Sequence, residues 1–188
     1  KVFDFSKMPE YLPKDVEIGG SGYNINKNLP KEIDSCMPDY SIYPDCDYSI
    51  GFITRGCIRN CEFCIVPEKE GKIRQDSTVE NIWRGKGDLI LLDNNILARF
   101  DLFKKILMFC KEKNIKVDFN QGLDCRLINE EKADFINKYQ KYFLGNPRFA
   151  FDNLDYKSAV EKTCQLIKSR CFWYVYLDEN WESALERL

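Results

Sequence analysis

Cys57, Cys61 and Cys64 stand in the run Cys57-Ile58-Arg59-Asn60-Cys61-Glu62-Phe63-Cys64. A gap of three residues followed by a gap of two brings three thiolates close together on one loop. Three is one ligand short of a closed cluster. A 4Fe–4S cube has four irons, and structural cubes hold each of them with a thiolate. A cube held by this loop alone leaves one iron open to bind and activate another molecule. The spacing therefore points to catalysis more than to storage or electron transfer. The chain has no histidine, so proton transfer must use Asp, Glu, Lys, Tyr, Cys or water.

The elements that position this loop must come from a chain of 188 residues with 44% apolar content, enough for one domain with a sizeable core. Charged residues make up 31% and the net charge is −2, which gives no general pull toward nucleic acid or an anionic membrane. The longest apolar runs, such as 89–92 and 171–177, are too short to span a bilayer. No signal peptide is visible. Nine cysteines, an odd count, in a chain with long helical stretches favour free thiols in a reducing compartment, so the expectation is cytoplasmic. The chain starts at Lys1 and stops inside an expected helix at Leu188, as a fragment or a chain lacking flexible loops would.

Residues 1–46 are rich in turn signals (Pro9, Pro13, Gly19-Gly20, Gly22, Pro30, Pro38, Pro44) and read as an extended lead-in with little core of its own, as the remnant of an upstream domain would. Gly19-Gly20-Ser21-Gly22 would cradle a phosphate only between a strand and a helix. No amphipathic helix clearly follows, so a plain turn is expected. Residues 47–188 form the core. A strand over 48–54 runs into the cysteine loop. Ser77-Thr78-Val79-Glu80 forms a capping box that opens a short helix. The apolar run 89–92 reads as a strand buried on both faces. A helix over 98–113 places Phe103, Ile106, Leu107 and Cys110 on one face. Residues 115–119 form the next strand, and Asn129 caps a helix through Phe135, Ile136 and Tyr139. A strand over 148–151 precedes a helix capped by Asp155 and carrying Val160, Cys164 and Ile167. A last strand covers 171–177, and Trp181, Leu185 and Leu188 mark one face of a final helix. Strands alternating with helices predict an α/β fold with a parallel sheet and right-handed crossovers, specifically an incomplete β/α barrel of the TIM-like kind. In such folds chemistry sits in the loops after the strands, where the three cysteines lie.

The Cys57-x3-Cys61-x2-Cys64 spacing, with aromatic Phe63 before the last cysteine and an apolar strand before the first, resembles the signature of the radical SAM superfamily. The resemblance covers residues 48–188. Residues 51–74, including Thr54-Arg55-Gly56-Cys57 and Ile65-Val66-Pro67, resemble the subgroup whose members carry a cobalamin-binding domain or transfer methylthio groups. The resemblance implies that Cys57, Cys61 and Cys64 hold three irons of a 4Fe–4S cluster and that S-adenosylmethionine (SAM) chelates the fourth. One electron, from a donor such as flavodoxin or ferredoxin, would then cleave SAM to methionine and a 5′-deoxyadenosyl radical. That radical would abstract hydrogen from a substrate. The cofactors carry the chemistry, and the protein orients them.

Other roles carry over one residue at a time. Phe63 would lie near the adenine. The family often has a Gly-Gly-Glu-like segment that meets the SAM amine; here the run is Asp93-Asn94-Asn95, whose carboxylate at Asp93 would receive the ammonium. Gln121, Asp124 and Arg126 follow the third strand, and Arg126 would pair with the SAM carboxylate. Asp152 would face the ribose hydroxyls. The bland reading of each is a polar group that caps a loop or helix. Cys110 and Cys164 read as small core residues. Cys36, Cys46, Cys125 and Cys171 show no second tight spacing.

Three alternatives stay beside this one. One is a non-catalytic module holding zinc or an electron-transfer cluster, although zinc sites commonly use four ligands and often histidine. Another is a methylthiotransferase or cobalamin-dependent methyltransferase, which would need further domains. The third is a degenerate member that binds the cluster without turnover. No residue stands out as a substrate base, and the substrate is not set by fold-level analogy.

Overall fold

The structure is a computed structural model that describes residues 7–177 and 181–187. Those residues form a mixed α/β fold. A short helix α1 (Lys31–Asp34) precedes strands β1 (Ser49–Gly51) and β2 (Thr54–Arg55), helix α2 (Val66–Lys69), strand β3 (Arg74–Gln75) and helix α3 (Val79–Ile82). Longer strand–helix units follow: β4 (Leu89–Leu91) and α4 (Phe100–Lys113), β5 (Val117–Phe119) and α5 (Glu130–Tyr139), β6 (Arg148–Ala150) and α6 (Lys157–Leu166). Strand β7 (Phe172–Tyr174) and helix α7 (Trp181–Glu186) complete the order.

The run Leu89-Ile90-Leu91 forms the middle strand of a parallel sheet ordered β1-β4-β5, with Ile50 opposite Ile90 and Ile90 opposite Asp118. Strands β6 and β7 make a second parallel pair, Ala150 opposite Tyr174. Two isolated parallel bridges, Val117 with Phe143 and Leu123 with Phe149, link the β5 segment to the β6 segment. Among the described residues the strands do not close into a barrel. Helix α4 covers the three-stranded sheet because Leu102, Phe103, Ile106, Leu107 and Cys110 repeat at three and four and are all buried. Phe103 meets Phe119 of β5 at 4.9 Å between ring centroids. The helix stops at Asn114, whose left-handed backbone (φ 53°) lets its N–H reach the carbonyls of Cys110 and Lys111. Among the described residues no helix is long and apolar enough to cross a membrane.

Several local expectations shift. The expected strand over 48–54 splits, β1 staying in the parallel sheet while β2 pairs antiparallel with β3. Helix α4 begins at Phe100, after a 3-10 turn over Ile96–Arg99. Thr78, not Ser77, caps α3, its hydroxyl accepting the Asn81 N–H. Asn153 caps the 3-10 turn before α6, and Asp155 instead donates its N–H to that side chain. Cys164 is exposed: the inward stripe of α6 runs through Val160, Thr163 and Ile167, one step around the helix. On α7 the expected apolar face is solvent-exposed at Trp181 and Leu185, and Ala184 is buried instead. Leu188 lies outside the described residues.

No described residue of the lead-in is buried, as its turn-rich composition predicts. The glycine run is a turn, Tyr23 N–H to Gly20 carbonyl at 2.9 Å, and the next helix, α1, starts only at Lys31. The lead-in is nevertheless tied to the core. Ile50 N–H donates to the Tyr40 hydroxyl at 2.8 Å, and Lys69 Nζ donates to the Ile25 carbonyl and Asn28 Oδ1, each at 2.7 Å. Phe103→Ala empties the centre of the aromatic cluster, and its expected cost of about 3–5 kcal/mol is read by urea denaturation.

Candidate functional site

The cysteine loop leaves β2 and returns through α2 and β3, so the antiparallel pairing of Thr54 with Gln75 and Arg55 with Arg74 closes its neck. Cys57 N–H donates to the Gly71 carbonyl at 3.2 Å. Gly56 has φ +81°, and a Cβ there would stand 2.5 Å from the Lys72 carbonyl oxygen. The close approach of the two neck strands therefore needs glycine at this position. Inside the loop the Cys64 N–H bonds the Cys61 carbonyl at 3.0 Å, and the Arg59 N–H reaches Cys57 Sγ at 3.3 Å. All three cysteines are free and partly exposed.

Three consecutive side chains from the end of β4 hold the strand that leads into this loop. Asp93 accepts from Ile53 N–H (3.2 Å), Thr54 N–H (2.5 Å) and Thr54 Oγ1 (2.6 Å). Asn94 Oδ1 accepts from Gly56 N–H at 3.0 Å. Asn95 Nδ2 reaches Cys57 Sγ at 3.5 Å and Asp124 Oδ2 at 3.1 Å. The Asp93 oxygens are thus occupied by the backbone and hydroxyl around β2 rather than left open for an ammonium. Burial pushes the Asp93 carboxyl up, while its donors pull in the other direction. One buried acceptor in this run has no partner among the described residues: Asn95 Oδ1, on a side chain that is 3% exposed.

Asp124, which follows β5, is the hub of the next layer. It receives Arg59 Nε at 2.9 Å and Arg126 Nε at 2.7 Å, in addition to Asn95. Burial raises its carboxyl, but the hydrogen bonds and charges of Arg126 and Arg59 outweigh burial and hold it below the usual range. Arg126, expected to meet a carboxylate of SAM, thereby already grips the carboxylate of Asp124 through Nε and a second nitrogen. Its guanidinium also lies 4.1 Å from the Tyr156 ring centroid. Tyr156 in turn borders one cavity with Cys61.

Phe63 stacks on Tyr176 at 4.3 Å. With Cys61, Asp152, Asn153 and Tyr156 these two rings border a cavity of about 570 Å³ beside the cysteine loop. Asp152 also borders a smaller cavity of about 340 Å³ with Asn120, Gln121, Ala150 and Tyr174, over the ends of β5, β6 and β7. Burial raises the Asp152 carboxyl. Burial also pushes the Cys64 thiol up, opposed by the Val66 N–H and reinforced by Cys61, Cys57 and Asp152.

The structure thus brings Asn95 to Cys57 and sets Phe63 and Asp152 at one cavity with Cys61. Asp93 and Asn94 hold residues 53–56 leading into the loop, Asp124 and Arg126 form the layer behind Asn95, and Gln121 lies one cavity away. Arg59, Tyr156 and Tyr176 join them without any signal in the motif. Arg59 lies within the motif, but its partner Asp124 is 65 residues away. Among the described residues no three His, Cys, Asp or Glu side chains converge to hold a single metal ion. A multi-iron cluster asks for something different, since each thiolate binds its own iron. For that, the loop offers three free thiols, N–H groups directed at sulfur, and a buried acceptor beside Cys57.

Asp93→Ala leaves three donors without their acceptor. Its expected cost is about 1–3 kcal/mol or more, checked by urea denaturation against Asp93→Asn. The depressed Asp124 carboxyl makes a second test. Its contribution to stability is complete above the unfolded value near 3.8 and is lost as pH falls through the lower folded value. Asp124→Asn is expected to be less stable at neutral pH and to lose the wild type's extra decline below about pH 4, followed by thermal melts across pH.

The chain matches no protein-family model, and no curated protein matches it.

Proposed function

We propose that this chain is a radical SAM protein, in which Cys57, Cys61 and Cys64 hold a 4Fe–4S cluster and S-adenosylmethionine binds the iron they leave open. The observation that carries this reading is the set of three free thiols on one glycine-necked loop, braced from the end of the neighbouring parallel strand. When bound, cluster and SAM supply one-electron reductive cleavage of a carbon–sulfur bond and, with it, hydrogen-atom abstraction. The protein's own residues hold and shield them. Asp93 and Asn94 hold the neck, and Asp124 fixes Arg59 and Arg126 beside the thiols. Phe63 and Tyr176 provide an aromatic wall of the kind that accepts an adenine, with the Asp152 carboxylate available to ribose hydroxyls. Asn95 Oδ1 is the unpartnered acceptor in the segment assigned to the SAM amine, a role first expected of Asp93.

The succession β1-β4-β5, continued by parallel bridges toward β6 and β7, supports an incomplete β/α barrel for residues 47–188, with the cluster at the C-terminal end of its strands. A cytoplasmic protein served by an electron donor such as flavodoxin or ferredoxin fits this chemistry. Methylthio or methyl transfer are the variant reactions within the same family.

Anaerobic reconstitution tests the reading. Iron and sulfide near about four per chain, with 5′-deoxyadenosine formed on reduction in the presence of SAM, are expected. Stoichiometric zinc with no SAM cleavage overturns it. Cys61→Ala is expected to abolish both cluster and cleavage, whereas Cys164→Ala, on the exposed face of α6, spares them.

A further inference from the structure

The carboxylates in or just after β4 and β5 are engaged. Asp93 takes three donors from residues 53 and 54, Asp118 pairs with Arg148 at 3.0 Å, and Asp124 holds Arg59 and Arg126. Asp152, just after β6, differs: it makes no ion pair among the described residues. Arg126 and Arg187 act on its charge only from beyond ion-pair distance. Its half-buried side chain borders two cavities, the one of about 570 Å³ beside the cysteine loop and the one of about 340 Å³ over the ends of β5, β6 and β7.

The smaller cavity is of a size that suits a small molecule, and its chemistry is one-sided. Asn120, Gln121, Ala150 and Tyr174 complete its lining with Asp152. The Tyr174 ring is a fixed wall. Arg148 Nη1 donates to its hydroxyl at 2.9 Å, that hydroxyl donates to the Asn120 carbonyl at 2.9 Å, and a Cβ on Gly122 would stand 3.2 Å from the ring. Ala150, opposite Tyr174 in the β6–β7 register, adds only a methyl group and leaves the space open. Among the described residues no lysine or arginine borders this cavity, and the nearby Arg148 is committed to Asp118 and Tyr174. One unpaired carboxylate, two amides and an aromatic face favour an ammonium on a short apolar stem and disfavour an anion.

We infer that this cavity binds the substrate and that the substrate is a small amine, its ammonium on Asp152, its stem along Tyr174 and a further polar group on Asn120 and Gln121. The substrate role rests on the radical SAM reading made above. A carboxylate has two oxygens, so Asp152 can meet a ribose hydroxyl on the loop side and an ammonium on the other. Sharing one residue sets the two cavities side by side, and hydrogen abstraction requires that proximity.

The test is saturation-transfer NMR on the reconstituted full chain with three probes of one shape. These are 3-aminopropanamide, butanamide (a methyl in place of the ammonium) and succinamate (a carboxylate in its place). The amine is expected to bind saturably, and the neutral and anionic probes about tenfold more weakly or worse. Asp152→Asn is expected to remove that preference. Gln121→Ala, on an exposed side chain, is expected to weaken the amine without changing the thermal melt. Ala150→Leu fills only the smaller cavity, so it is expected to abolish amine binding while SAM binding, read by equilibrium dialysis, stays at the wild-type level. Equal binding of the amine and butanamide overturns the inference and leaves the radical SAM reading standing. So does amine binding that survives Asp152→Asn, or that survives Ala150→Leu in a folded protein. A wild-type chain that assembles no cluster and cleaves no SAM overturns the reading and the substrate role with it.

Discussion

The cysteine loop depends on how the backbone leaves the parallel sheet. Hydrogen bonding between β1 and β4 runs as far as the Leu92 N–H on the Gly51 carbonyl. Beyond it the N–H groups of Ile53 and Thr54 make no bond to β4, and the buried carboxylate of Asp93 takes both. A buried N–H without an acceptor is costly, so this substitution of a side chain for a ladder is what allows β2 to turn away and pair with β3. Without that departure the chain would continue along the sheet, and the loop would have no closed neck.

The same segment does more than end a ladder. Asp93, Asn94 and Asn95 contact successive points of the outgoing chain, at residues 53–54, at Gly56 and at the Cys57 sulfur. A parallel sheet places the ends of its strands side by side, so residues following β4 naturally reach the loop that follows β1 and β2. Asp124, after β5, extends the arrangement by one strand and couples the loop's own Arg59 to Arg126. Buried carboxylates of this kind contribute little net stability over apolar packing, yet removing one partner of such a pair is strongly destabilising. Their value here lies in fixing geometry around the thiols.

The metal centre proposed for this loop would need support from outside the loop. The local part is modest: the Arg59 backbone N–H on Cys57 Sγ, and a glycine where the two neck strands approach. The remainder is assembled from strand ends and a helix entry distant in sequence. The aromatic wall follows the same logic, since Phe63 lies in the loop while its stacking partner Tyr176 follows β7.

The amino-acid sequence by itself determined the local terms. The cysteine spacing, the apolar run of β4, the three-and-four repeat of α4 and the cap at Asn129 all act within a few residues, where periodicity and turn chemistry have direct meaning. It also marked most of the polar residues that gather near the thiols, because they fall just after strands. It did not determine what those residues hold. Asp93 reads as a ligand for an ammonium until the sheet places three donors against it, and Cys164 reads as core until α6 rotates its inward stripe onto Thr163. The pairings Arg59 with Asp124, Arg126 with Tyr156 and Phe63 with Tyr176 were decided only by the tertiary structure. Each joins residues from different strand ends, and their meeting is set by strand order and register rather than by any spacing along the chain.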